Sequence, residues 1–99
     1  MKAYEIMNHL EKYFPLNLQM DFDCCGLQIG SREKEDKKVY IALNADNETL
    51  QACIENNCQM LITHHPFLLE KIKNLDTSLH QGKFISTAMK HDIVVYSLH

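Results

Sequence analysis

The stretch VYIALNADNETLQACIENNCQMLITHHP, residues 39–66, contains the pattern that decides the fold. Residues 39–44 begin with a β-branched and aliphatic run, and residues 59–63 are a second apolar run, so each predicts a buried strand. Between them, Asp46 or Asn47 can cap a helix that carries its apolar side chains on one face. A strand, a helix and another strand in this order predict two parallel strands joined by a right-handed crossover.

The segments on either side continue this alternation. Residues 3–14 carry apolar side chains at helical spacing, and Pro15 stops the pattern. Residues 82–92 predict another amphipathic helix, and residues 93–98 are the most β-prone run in the chain. The sequence therefore predicts a single α/β domain over residues 1–99, with a mostly parallel sheet and covering helices.

The remaining segments are predicted to be irregular, apart from a short amphipathic turn in PFLLEKIKNL, residues 66–75. No strand is predicted in FDCCGLQIG, residues 22–30, where Gly26 and Gly30 can take backbone angles that other residues avoid. SREKEDKK, residues 31–38, mixes both charge signs and predicts a solvated loop. No helix follows residues 93–98 to cover the third strand. We therefore expect that strand to have an open face, and the chain to be the incomplete amino-terminal segment of a longer domain.

Composition excludes several classes of function. The chain has 99 residues, 45% of them hydrophobic and 23% charged, with a net charge of -3. Without a basic face, nucleic acid is not expected as a partner. No apolar stretch approaches membrane-spanning length, and the first residues lack the apolar core of a signal peptide, so a cytoplasmic location is predicted. The four cysteines are not at CxxC spacing and are interpreted as small apolar residues in a reducing compartment.

Polar side chains follow each predicted strand, at the end where ligands gather in open parallel sheets. Asn44 and Asp46 follow the first strand, His64 and His65 follow the second, and His99 follows the third. The fold would bring these residues to one rim of the sheet. The other histidines are predicted to lie at the surface or are assigned no role, and these are His9, His80 and His91.

The adjacent histidines allow two interpretations. Neighbouring residues on a regular strand point to opposite faces, and Pro66 favours an extended His65, so the two rings are expected to be splayed. Splayed imidazoles suit two divalent metal ions a few ångströms apart, and imidazole nitrogen binds zinc, iron, nickel or cobalt. In the second interpretation, which spacing alone favours, His64 and His65 are polar residues at a strand end that bond to backbone or water.

Three motifs connect the chain to a known family. FDCCGLQIG, MLITHHPFL and IVVYSLH resemble, in order and spacing, motifs of the GTP cyclohydrolase 1 type 2 homologue family, which is also called NIF-three-like. The resemblance runs from about residue 5 to His99. It implies an α/β fold, a dinuclear metal centre with two divalent ions per site, and a homo-oligomer in the form of a hexameric toroid.

The family's site residues carry over in part. The resemblance makes His64 and His65 metal ligands and makes His99 a site residue that positions water or substrate. The family's aspartate ligand and its later histidine and glutamate ligands have no counterparts in this chain. The first motif places an aspartate at Asp23, whose role stays open. The sequence also departs from the family pattern, with Phe22 in place of Trp, Cys24 in place of Asn and Asn44 in place of Asp.

Two hypotheses of function follow. In the first, the chain is the amino-terminal part of a metal-dependent hydrolase that acts on an unknown small-molecule substrate through metal-activated water. In the second, which the missing ligands favour for this chain alone, it is a non-enzymatic module that acts through self-association or partner binding.

Overall fold

The computed structural model describes residues 1–13, 26–67 and 74–98. Each predicted helix and strand is present, with ends that differ from the prediction by at most three residues. The predicted stop at Pro15 lies outside the described residues, as do residues 68–73 of the predicted amphipathic turn. The elements in chain order are α1 (Ala3–Glu11), β1 (Gly26–Ile29), β2 (Val39–Ala42), α2 (Asn47–Glu55), β3 (Met60–Thr63), α3 (His80–Lys90) and β4 (Val94–Ser97).

The four strands form one mixed sheet in the order β1-β4-β3-β2. The pairs β2–β3 and β3–β4 are parallel, which confirms the predicted α/β architecture. The parallel register aligns the strand ends, with Ala42 opposite Thr63 and Thr63 opposite Ser97. The carboxyl ends of β2, β3 and β4 therefore lie along one rim.

Strand β1 corrects the prediction that FDCCGLQIG contains no strand. Residues Gly26–Ile29 pair antiparallel with β4, and the register shifts between Leu27 and Ile29. Four residues with a bulge have almost no local β signal, so pairing with β4 determines this strand. The predicted backbone freedom is confirmed, because Gly26 and Gly30 have φ angles of 103° and 106°. A Cβ on Gly30 would lie 3.0 Å from the Cα of Val94.

Helix α2 begins and ends as its sequence predicts. The Asp46 side chain accepts a 2.7 Å hydrogen bond from the backbone N–H of Thr49, which is an N-cap. Hydrogen bonds from Thr49 to the carboxylate lower the pKa of Asp46. After the last helical residue, Asn57 takes a left-handed conformation with φ of 56°, which turns the chain into β3.

Both faces of the sheet are covered at its centre. Helices α2 and α3 pack on one face through Leu50, Cys53, Phe84 and Ala88, and α1 packs on the other through Ala3 and Met7. All four residues of β4 are buried. The expected open face on this strand is therefore wrong, because α1 covers one face, α3 covers the other, and β1 and β3 flank the strand.

The charged loop is not wholly solvated, which corrects a third prediction. Asp36 is only 3% exposed, and neither carboxylate oxygen has a hydrogen-bond partner among the described residues. Its backbone N–H donates to the Met1 carbonyl at 2.7 Å, and the Met1 amine donates back to the Asp36 carbonyl at 3.1 Å. Burial in this turn raises the pKa of Asp36 to about 6.

Two further sequence predictions concern the cysteines and the membrane. Cys53 and Cys58 are buried free thiols, in agreement with their interpretation as small apolar residues. Burial raises the pKa of the Cys53 thiol to about 12, so it stays protonated at neutral pH. In the described part of the chain, no helix has the length and apolar character needed to cross a membrane.

Candidate metal site at the carboxyl ends of the strands

The two adjacent histidines lie directly after β3, at the rim of the sheet. Both are exposed and sit in a bend that begins where the strand ends. The His64 N–H donates to the Ala42 carbonyl at 3.2 Å, and the His65 N–H donates to the Leu43 carbonyl at 2.9 Å. The backbone of the pair is thus attached to the end of β2.

The imidazole rings lie side by side, which corrects the expectation that they point to opposite faces. Their centroids are 5.0 Å apart and their planes are inclined by 50°. The alternation of side chains applies only within a regular strand, and β3 ends at Thr63. Because His64 and His65 follow in a bend, both rings are on the same side of the chain, where they can serve a common site.

Asn44 holds one of the two rings. The Nδ1 of His65 lies 2.8 Å from the Oδ1 of Asn44. An amide oxygen only accepts hydrogen bonds, so Nδ1 carries the proton and Nε2 is the nitrogen with a lone pair that can bind a metal. Metal-binding histidines in proteins are usually oriented through their other ring nitrogen in this way. The predicted meeting of Asn44 with the histidine pair at one rim is confirmed.

Two hydroxyl groups lie beneath the histidine bend. The side chains of Thr63 and Ser97 are fully buried, and their oxygens are 2.8 Å apart. The Thr63 hydroxyl also donates a 2.8 Å hydrogen bond to the carbonyl of His65. The Leu98 N–H donates to the Thr63 carbonyl at 2.9 Å, which connects the end of β4 to the same point.

The other predicted rim residues are Asp46 and His99. Asp46 uses its carboxylate to cap α2, so it is occupied in a structural role. His99 lies outside the described residues, as do Asp23 and Cys24. Among the side chains that the structure describes, no group of three or more His, Cys, Asp or Glu residues is arranged to hold a metal ion. The described part of the candidate site therefore consists of two imidazoles and their supporting contacts.

A cavity of about 300 Å³ opens beside His65. The Nδ2 of Asn47 donates to the Nδ1 of His80 at 3.0 Å, so the proton of that ring is on Nε2. Sequence analysis assigned no role to His80, because nothing in its own segment shows that α3 begins beside the histidine bend. The cavity is lined by Asn44, Ala45, His65, Pro66, Phe67, His80 and Gln81.

The donor set suits borderline divalent metals. Two exposed imidazoles, one with its proton held on the far nitrogen, match the ligand preference of zinc, iron, nickel and cobalt. Two nitrogens do not complete a coordination sphere, which requires four or more ligands. His64 and His65 would therefore hold part of a metal site, with further ligands from elsewhere.

Comparison with known proteins relates the whole chain to one family. The family model for Duf34/NIF3 (NGG1p interacting factor 3) matches residues 1–99. A GTP cyclohydrolase 1 type 2 homolog from Listeria innocua is 38% identical over 97 residues, which is 98% of this chain and 26% of that protein. A protein of the same name from Methanocaldococcus jannaschii is 35% identical over 100 residues, covering 100% of this chain and 40% of that protein.

Solved structures give the same relationship. A Bacillus cereus protein related to NIF3 superposes with a TM-score of 0.94 at 33% identity, over 100% of this chain and 27% of that chain. Reduced HcgD from Methanocaldococcus jannaschii superposes with a TM-score of 0.93 at 35% identity, over 100% of this chain and 40% of that chain. The chain thus spans from about a quarter to two-fifths of the length of these relatives.

Proposed function

Because the chain belongs to the Duf34/NIF3 family, we propose that it provides part of the dinuclear metal site of a metal-dependent hydrolase. His64 and His65 each hold one divalent ion in this proposal. The observation that carries it is the side-by-side arrangement of the two rings, with His65 held through Nδ1 by Asn44. The chain spans less than half of its relatives, so the activity of a whole protein is part of the proposal.

The metal ions and the residues of the chain would contribute differently to the reaction. Bound divalent ions acidify water and polarise a carbonyl or phosphoryl oxygen. The chain itself positions the ligands through Asn44 and offers the cavity beside His65 to a small-molecule substrate. His80 lines that cavity, and we propose that its Nε2–H donates a hydrogen bond to a substrate oxygen. His99 is proposed to position water or substrate.

Metal stoichiometry tests this function. The chain without a histidine tag is brought to equilibrium by dialysis against millimolar Co(II), because one imidazole per ion binds weakly without further ligands, and bound cobalt is measured by inductively coupled plasma mass spectrometry. We expect about two ions per chain, and a loss of about one ion in either His64→Ala or His65→Ala. His91→Ala removes an imidazole that is also exposed but lies at the far end of α3, so this variant should bind as much cobalt as the parent chain.

Two outcomes would contradict the proposal. A parent chain that binds no cobalt would rule out the metal site in this polypeptide. Equal losses in His91→Ala and His65→Ala would mean that exposed imidazoles bind the ion without a defined site.

A second candidate function, self-association, has a separate observation in its favour. Ile41 in β2 is 77% exposed and Leu43, just after the strand, is 58% exposed, and β2 lies at one end of the strand order. Among the described strands, β2 has one edge without a partner, and an exposed apolar edge favours pairing with another chain. We propose that copies of the chain associate through β2. This second proposal includes the hexameric toroid implied by the family resemblance.

Light scattering coupled to size-exclusion chromatography tests the association. Ile41→Lys should shift the molar mass towards the monomer, because it places a charge on the proposed edge. Leu75→Lys is a matched control, since Leu75 is 63% exposed and lies away from β2 in the chain. A monomeric parent chain, or an equal shift in both variants, would refute association through this strand.

A further inference from the structure

The hydroxyls of Thr63 and Ser97 form a directed chain of hydrogen bonds. A hydroxyl donates one hydrogen, and the Thr63 hydroxyl donates its own to the carbonyl of His65 at 2.8 Å. Ser97 must therefore be the donor in the 2.8 Å contact between the two hydroxyls. The chain runs from β4, through the last residue of β3, to the backbone of the histidine bend.

This pair occupies positions where apolar side chains would fill the same space. Both residues are 0% exposed and lie opposite each other in the parallel register of β3 and β4. Buried hydroxyls are unfavourable unless they are hydrogen-bonded, and two apolar side chains would avoid that requirement. What the hydroxyls add is a bond to the carbonyl of His65, which an apolar pair cannot make.

We propose that Thr63 and Ser97 are positioning residues for the metal site. The hydroxyl pair holds the His65 carbonyl, and this in turn keeps the His65 ring against Asn44 through Nδ1, so that Nε2 is the nitrogen that would bind a metal. This inference rests on the proposed function, since it assigns the pair to the same site. In this proposal, the orientation of the His65 ring depends on buried hydroxyls that do not contact the metal themselves.

Four variants separate positioning from stability. Thr63→Val removes the bond to His65 and leaves the Ser97 hydroxyl without its acceptor, so it should lower both thermal stability and cobalt affinity. Thr63→Val combined with Ser97→Ala removes both hydroxyls, so much of the stability should return. Its cobalt affinity should stay about 10–100-fold below that of the parent chain, because the His65 carbonyl still lacks its donor. Thr63→Ser and Ser97→Ala keep that donor and should stay within about threefold of the parent.

The measurements are cobalt titration, thermal unfolding and the ¹⁵N shifts of the His65 ring in the metal-free chain. In the parent chain the ring shifts should report a single tautomer with the proton on Nδ1, and in the double variant a mixture. The inference would be overturned if the double variant regained cobalt affinity and a single His65 tautomer along with its thermal stability. A parent chain that binds no cobalt would refute the proposed function, and the ring shifts would still decide whether Thr63 positions His65.

Discussion

The two ends of the parallel strands bury polar groups in opposite ways. At the carboxyl ends of β3 and β4, the Thr63 and Ser97 hydroxyls are fully buried and bonded to each other and to the His65 carbonyl. Before the amino end of β2, the carboxylate of Asp36 is 3% exposed and has no hydrogen-bond partner among the described residues. The polar side chains at the two ends are buried to a similar degree. Among the described residues, those at the carboxyl end have hydrogen-bond partners and the Asp36 carboxylate has none.

The difference shows what a buried polar group contributes. A bonded group costs little and orders its surroundings, whereas an unbonded carboxylate is unfavourable mainly in its charged form. At the carboxyl end, where the candidate site lies, the buried hydroxyls of Thr63 and Ser97 are therefore satisfied by hydrogen bonds. The amino end is where pH should change the stability of the fold, because burial raises the pKa of Asp36 to about 6.

The largest predicted effect is at the amino end. A folded pKa of about 6 against an ordinary value of 3.8 means that the folded chain holds the proton more tightly than the unfolded chain. Asp36 therefore lowers stability as pH rises from about 4 to about 6, by at most about 3 kcal/mol. Asp36→Asn should raise the free energy of unfolding by about 1–2 kcal/mol at pH 7.5, since the buried amide keeps part of the penalty.

Urea unfolding at pH 4 and pH 7.5 measures this effect. The gain from Asp36→Asn should nearly vanish at pH 4, where the carboxyl is protonated in the folded chain. Glu33→Gln is the control, because Glu33 is an exposed carboxylate in the same loop and should change stability little at either pH. A gain from Asp36→Asn that is equal at both pH values would contradict the role of its charge.

The second effect is at the carboxyl end and concerns Asn44. Asn44→Ala removes the acceptor of the His65 Nδ1–H, so the ring loses its fixed orientation. Cobalt affinity should fall by about 10–100-fold. Asn44→Asp restores an acceptor and adds a negative charge beside the ring, so its affinity should equal or exceed that of the parent chain. Competitive titration with a cobalt chelator gives both values, and an unchanged affinity in Asn44→Ala would remove this residue from the site.

The smallest effect is expected for a surface ion pair at the amino end. Lys34 Nζ lies 2.6 Å from Asp92 Oδ2, and both side chains are partly exposed to solvent. Lys34→Met should lower the free energy of unfolding by less than about 1 kcal/mol. The loss should shrink in 0.5 M salt, because salt screens exposed charges. A loss of several kcal/mol, or one that salt leaves unchanged, would mean that Lys34 stabilises Asp36 more than its exposure suggests.

Local patterns explain which parts of the structure were predictable. Helices α1, α2 and α3 follow from apolar spacing, and Asp46 was identified as a possible cap from its position alone. Strand β1 was missed because its partner β4 is about 70 residues away in the chain, and Gly26–Ile29 has no pattern of its own. Asp36 was assigned to a solvated loop because its burial depends on contacts with Met1, which a local charge pattern does not contain.

For the candidate site, the sequence by itself determined that two histidines follow a buried strand, because hydrophobic periodicity is local and ends at Thr63. Only the tertiary structure decided how they are used. The bend after β3 places the rings side by side, the end of β2 brings Asn44 to His65, and the pairing of β3 with β4 brings Ser97 to Thr63. These contacts join residues that are 21 and 34 positions apart, and such pairing depends on strand register, which no single segment specifies.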